Sequence, residues 1–253
     1  MLRDTKEVRR ERMISNFLDG IIYNIRGLKL GIKTWKLLLL ALLRFFILIA
    51  FTIALATLAF QYHGRLMDLI WTKPQSMWVV WIWHFVSFII TMFLIGISTV
   101  LSYVISQIFF SVFIMDYMSK ITEKMLTNRV EGANEPFWKS LLCLIRQEIP
   151  RTVFPVMISV LIFIFGWITP LGPIIATISS IITIIFLSWD NTDLVPARRL
   201  LPFKKRFYML MKNLPFHIGF GIYFLIPVLN VIFLSFAPVG ATMYYVQVIE
   251  KKE

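Results

Sequence analysis

Long apolar runs separated by short polar segments dominate the chain and predict membrane-spanning helices. Residues 37–60 carry a single charge, Arg44, and residues 77–115 carry no formal charge. A helix rises about 1.5 Å per residue and a bilayer core is about 30 Å thick, so roughly 20 apolar residues make one crossing. We therefore predict a first span over 37–60 and a second span over 77–115, whose helix continues to about residue 131.

Two further apolar runs are interrupted at their centres. Residues 153–188 have no charge, and as one helix they would measure roughly 54 Å, which is too long for a single span. Gly172 and its neighbouring prolines break this run, and Pro227 with Asn230 breaks the run 214–249 at the corresponding place, as in a weak internal repeat. Each run holds either two full spans or two half-depth helices. The short halves favour helical hairpins over 153–188 and 214–249 that penetrate only part of the bilayer.

The first 36 residues have a different pattern. They carry nine Lys or Arg against four acidic residues, and apolar residues recur every three or four positions. The recurring positions are Met13, Phe17, Ile21, Ile25, Leu28 and Ile32. This is typical of an amphipathic helix with a basic face, so residues 1–36 are predicted to lie in the membrane interface.

Composition agrees with this pattern, and we predict that residues 1–253 form one membrane domain. The chain is 58% hydrophobic and only 16% charged, whereas soluble domains are about a quarter charged. The fold class is therefore an all-α integral membrane protein. The net charge of +12 is explained by basic cytoplasmic segments and by attraction to anionic membrane lipids, and no nucleic-acid partner is expected. The protein is predicted to be multi-pass, and positive-inside bias predicts that both termini lie in the cytoplasm.

The chain has little of the chemistry that enzymes need. Cys143 is the only cysteine, and His63, His84 and His217 lack the spacing of metal ligands. There is no glycine-rich phosphate loop, nucleophile elbow or paired carboxylates. We expect no enzyme activity, no cofactor and no metal.

The two breaks are candidate anion sites. A helix that starts at membrane depth presents N–H groups and a positive dipole end, which hold anions in transporters. Gly172 and Asn230 mark these positions, and the alternative is a simple turn whose donors are capped by Asn230 or by neighbouring helices.

Lone charges also have two interpretations. Arg44 either extends back to the interface or faces a polar pathway. Arg198 and Arg199 begin a basic run that either concentrates anions at a cytoplasmic mouth or anchors the protein to lipid.

Several segments resemble a known family, the CysZ sulfate permeases, which share a domain with the etoposide-induced membrane proteins of eukaryotes. The resemblance covers about residues 20–248. It is carried by GLKL, MLTNRVEGANEP, IRQEIPR, TPLGP, LPFKKRF and, most specifically, IPVLNVIFLSFAPVGAT. It implies a bacterial inner-membrane protein with two long spans and two partly penetrating hairpins, commonly oligomeric, that feeds sulfate into cysteine synthesis.

The resemblance also suggests where the anion binds. In those permeases a Gly-Leu-Arg type turn just before the first span contributes a sulfate site, and the aligned segment here reads IKTWKLLLL. Lys33, Thr34 and Lys36 supply charge and a hydroxyl there, without the fork geometry of arginine. We therefore expect a permease or channel for sulfate or a related oxyanion. The alternative is a membrane scaffold or lipid-organising protein that does not transport.

Overall fold

The computed structural model describes residues 2–108, 112–130, 149, 153, 157–162, 164–166, 172–226 and 229–252. All the regular elements in these ranges are helical. The α-helices are α1 (Leu2–Lys33), α2 (Trp35–Ile70), α3 (Met77–Ser106), α4 (Val112–Thr127), α5 (Gly172–Thr192), α6 (Leu194–Arg198), α7 (Phe203–Lys212), α8 (Leu214–Gly221) and α9 (Leu229–Tyr244). Short 3-10 or π turns follow α8 and α9 over Ile222–Leu225, Tyr245–Ile249 and Glu250–Lys252.

Four of the described helices are long and apolar enough to cross a membrane. They are Trp35–Ile70, Met77–Ser106, Gly172–Thr192 and Leu229–Ile249, and shorter apolar helices cover Met157–Gly166 and Leu214–Leu225. This confirms an all-helical membrane protein. The second arm of each predicted hairpin has 21 residues, so each is long enough for a full crossing. Partial penetration stays a prediction.

The predicted boundaries shift at several places. The first span, predicted to end at residue 60, continues as helix to Ile70. The second span ends as α-helix at Ser106, and the extension expected to reach residue 131 ends at Thr127. It stops there because Asn128 takes a left-handed conformation, φ 56°, which a helix cannot continue. Cys143, Pro170 and Pro227 lie outside the described residues.

The chain forms two compact units. The smaller unit, Phe45–Phe110, contains most of α2 and all of α3. Within it the Trp83 indole N–H donates to the Trp71 carbonyl at 2.9 Å, and the Thr91 hydroxyl lies 3.0 Å from Nε2 of His63. These polar contacts join α3 to α2 and to the residue that follows it.

The larger unit comprises Met1–Arg44 and Ser111–Glu253. Its core is aromatic: Phe216 of α8 stacks on Tyr244 of α9 with ring centroids 3.6 Å apart, and Phe220 stacks on Phe216. The helix α1 packs on both α8 and α9. The N-terminal segment is therefore helical as expected, but one of its faces is covered by the second hairpin, which the prediction of an interfacial helix did not include.

Candidate functional site

A bend at Thr34 separates α1 from α2 and carries the predicted anion-binding residues. Thr34 itself is outside both helices, yet its N–H donates to the Leu30 carbonyl at 3.0 Å. Its carbonyl accepts from Leu37 at 2.9 Å and from Leu38 at 3.0 Å. The backbone therefore turns without losing these hydrogen bonds, and the bend is a well-defined feature.

The side chains at this bend are available to a ligand. Lys33 and Lys36 are exposed and Thr34 is half-buried. None of the three makes a side-chain hydrogen bond or ion pair with a residue in the described ranges. Two cations and a hydroxyl are thus grouped immediately before the first span, with their binding capacity unused by the neighbouring described residues.

The bend lies alongside α9. A Cβ on Gly31 would stand 2.1 Å from a ring carbon of Phe236, and the Arg44 guanidinium donates to the Leu234 carbonyl at 3.1 Å. Arg44 is only 9% exposed. Its side chain therefore packs against α9 and does not extend to the surface, and its role in a pathway stays a prediction.

Gly172 and Asn230 each stand at the start of a helix, as predicted. Gly172 is the first residue of α5 and lies close to the Gly166 carbonyl, 3.0 Å from where its Cβ would be. Asn230 is the second residue of α9, and its N–H donates to the Ile226 carbonyl at 2.8 Å. At least one donor at the start of α9 is therefore already used by the Ile226 carbonyl, whereas the turn alternative expected capping by Asn230 or by neighbouring helices. No hydrogen bond among the described residues joins Gly172 or Asn230 to the lysines at the bend.

Arg198 and Arg199 are held by carboxylates. Arg198 is buried and pairs with Asp116 at 2.9 Å and with Glu123, while it also donates to the Ser119 hydroxyl. The three partners are on α4, so Arg198 joins α6 to α4. The positive charge of Arg198, which was predicted as one that could attract anions at a cytoplasmic mouth, is therefore largely neutralised by carboxylates.

The same network continues towards the C-terminus. Arg199 bridges Glu123 at 3.0 Å and Glu250 at 3.1 Å, and it lies over the ring of Tyr245. The hydroxyl of Thr242 on α9 donates to Ser119 at 2.8 Å. Three helices and the C-terminal turn therefore meet in one buried polar network.

A small cavity, lined mostly by apolar surface, lies beside this network. It has a volume of about 30 Å³, which holds about one or two waters. Buried Arg206 pairs there with Asp193, and His217, another lining residue, is hydrogen-bonded to the Ser188 hydroxyl at 3.1 Å. This cavity was not among the sequence predictions, because Asp193 lies in the turn before α6 whereas Arg206 and His217 lie on α7 and α8.

The chain matches a known protein family. The sequence model of the family described as "Sulfate transporter CysZ/Etoposide-induced protein 2.4" matches residues 23–235. That range includes the bend at Thr34, α4, and the helix starts at Gly172 and Asn230. No curated protein matches the chain.

Proposed function

Because the chain belongs to the family of the sulfate transporter CysZ and the etoposide-induced protein 2.4, we propose that it is a permease or channel for sulfate or a related inorganic oxyanion. It acts in the bacterial inner membrane with both termini in the cytoplasm and supplies sulfur assimilation. Transport by this chain is passive or proton-assisted, and the working form is a homo-oligomer.

The observation that carries the proposal is the bend at Thr34. Lys33 and Lys36 are exposed and make no ion pair within the described part of the chain, in contrast with Arg198 and Arg199. Uncompensated lysines attract a divalent oxyanion, and a hydroxyl donor between them adds a hydrogen bond. Their position before an apolar helix long enough to span the bilayer supports a role in delivering the anion to a membrane route.

A second function, a scaffold that does not transport, is favoured by a different observation. The arginines of the basic run are paired, and the Asn230 N–H is bonded to Ile226. Both features reduce the number of groups offered to an anion. A protein that organises lipid or a partner would need no such groups.

Radiolabelled sulfate flux into proteoliposomes decides between these functions. We expect saturable uptake that sulfite reduces more strongly than chloride does, with phosphate as a further competitor. Empty liposomes give the background rate. Uptake at the background rate by protein that elutes as a single folded species would reject transport and favour the scaffold.

A further inference from the structure

The helix α7 has a surface whose composition the transport proposal leaves unexplained. Its exposed side chains are apolar or basic: Phe203, Phe207, Tyr208 and Met211 are exposed, as are Lys204, Lys205 and Lys212. Phe203 is 57% and Tyr208 64% exposed, so large aromatic surface is left uncovered on this helix. No acidic residue occurs from Arg199 to Asn213.

These side chains are ordered around the helix. Phe203, Phe207 and Met211 follow one another at intervals of four residues and form one stripe. Lys204, Tyr208 and Lys212 form a second stripe, rotated by about 100°. Arg206 and Leu210 lie on the side of the helix opposite the second stripe, and both are buried. The apolar stripe therefore lies between the packed face and the basic face.

The helix is held firmly in this orientation. Arg206 pairs with Asp193 just before α6, and Leu210 is buried. The rings of Phe203 and Phe207 are stacked, with centroids 6.2 Å apart, and each presents an edge-to-face contact to Trp189. Rotation that would bury the exposed stripe would break these contacts, so the surface is fixed before any partner binds.

The position of α7 along the chain identifies that partner. It connects α5, which is long and apolar enough to cross a membrane, to the apolar segment Leu214–Leu225. A helix that connects two such apolar segments is expected at the level of the lipid headgroups. Apolar side chains beside lysines, without acids, match the acyl chains and phosphates of an anionic leaflet.

We infer that α7 docks on anionic lipid, with Phe203, Phe207 and Met211 inserted below the headgroups and Lys204 and Lys212 bound to their phosphates. Tyr208 lies between the two lysines at the polar level, where aromatic residues with a hydroxyl are favoured. Arg206 takes no part in lipid binding because its charge is paired inside the protein. This role is independent of the solute that the protein carries.

Photolabelling of the protein in vesicles tests the inference. The protein is placed in phosphatidylcholine vesicles, prepared with and without phosphatidylglycerol. Each preparation contains a trace of a photoreactive probe, either phosphatidylcholine or phosphatidylglycerol. Mass spectrometry then measures the labelling of residues 203–212. We expect the phosphatidylglycerol probe to label this segment preferentially. Because one surface lysine contributes roughly a factor of five in affinity for an anionic leaflet, K204Q/K212Q should lower the preference at least about fivefold. The charge-reversed K204E/K212E should abolish it.

The matched control is K124Q/K251Q, which removes two exposed lysines elsewhere and should keep the preference unchanged. Equal labelling by both lipids, or a preference that K204Q/K212Q leaves intact, would overturn the inference. Competition by inorganic phosphate as strong as that by phosphatidylglycerol would also overturn it, since the helix would then bind a free anion. All variants are first checked for wild-type elution and melting temperature.

Discussion

Gly27 of α1 lies directly against Gly240 of α9. A Cβ added to Gly27 would stand 2.3 Å from the Gly240 amide nitrogen, and one added to Gly240 would stand 2.5 Å from the Tyr23 carbonyl oxygen. The arrangement recurs on α8, where a Cβ on Gly219 would stand 2.0 Å from the Phe17 carbonyl oxygen. The helix α1 is thus held to its neighbours by close approach of backbones, which only glycine permits.

Gly27→Ala is expected to destabilise the protein by about 1–3 kcal/mol, because the added methyl meets backbone that cannot move aside alone. The effect is measured as the melting temperature in detergent, which is determined from the loss of the monodisperse elution peak on heating. Gly96→Ala is the control: Gly96 also lies within a helix, but nothing stands within 4 Å of its would-be Cβ. Equal melting temperatures for the two variants would contradict the close helix contact.

The packing of α1 shows what the sequence could predict of the fold. Hydrophobic periodicity predicted a helix over residues 1–36 because apolar residues recur at helical spacing, and the structure has a helix over Leu2–Lys33. The same periodicity identified the contact face only in part, since Leu28 of the apolar stripe packs against the core. Met13 and Ile32 of the apolar stripe are exposed, whereas Gly20 and Gly27 lie at the interface. Hydropathy does not record how closely two backbones approach, so a glycine face is not visible in an apolar pattern.

The candidate site was predictable to a similar extent. The bend at Thr34 was expected as a turn before the first span, and the structure places a bend there. The partners of Arg198 were not expected, although Asp116, Ser119 and Glu123 recur at helical spacing. A single sequence indicates that such a face is polar, but the arginine that reaches it is 75 residues or more away along the chain. Only the fold brings the two together.

Arg198→Met is expected to cost about 3–5 kcal/mol, since it leaves Asp116 and Glu123 buried without this cation. The melting temperature should fall sharply, while Arg129→Met, which removes an exposed arginine, should leave it nearly unchanged. A small and equal effect of the two substitutions would contradict a buried network.

Neutralising the partners should restore stability to the Arg198 variant. In R198M/D116N/E123Q positions 116 and 123 no longer carry buried charges, so the triple variant should melt higher than R198M alone. If instead the triple variant melts lower still, then Asp116 and Glu123 contribute through contacts other than the ion pair with Arg198.

Asn24 gives a prediction about α1 and α8. Its side chain is fully buried, and its amide N–H donates to the Phe220 carbonyl at 2.5 Å. Asn24→Ala should lower the free energy of unfolding by about 1–2 kcal/mol, because the Phe220 carbonyl loses the hydrogen bond from this side chain and alanine cannot replace the donor. The control is Asn16→Ala. Asn16 is half-buried on the same helix, so the gain in helix propensity from asparagine to alanine is common to the two variants. A melting temperature for Asn24→Ala at or above that of the control would show that the hydrogen bond is not stabilising.

The lysines at the bend give the prediction that bears most directly on transport. K33A/K36A should reduce sulfate flux at low sulfate concentration at least about tenfold, because a hydrogen bond to a charged group contributes roughly 1.5 kcal/mol. Both side chains are exposed, so the variant should melt like the wild type. K33R/K36R keeps both charges and adds the bidentate geometry that suits oxyanions, so it should transport at least as well as the wild type. K124A/K251A removes the same charge elsewhere and should not alter the flux. Wild-type flux in K33A/K36A would exclude these lysines from the anion route while leaving the transport activity itself intact, and the helix starts at Gly172 and Asn230 would then be the remaining candidates.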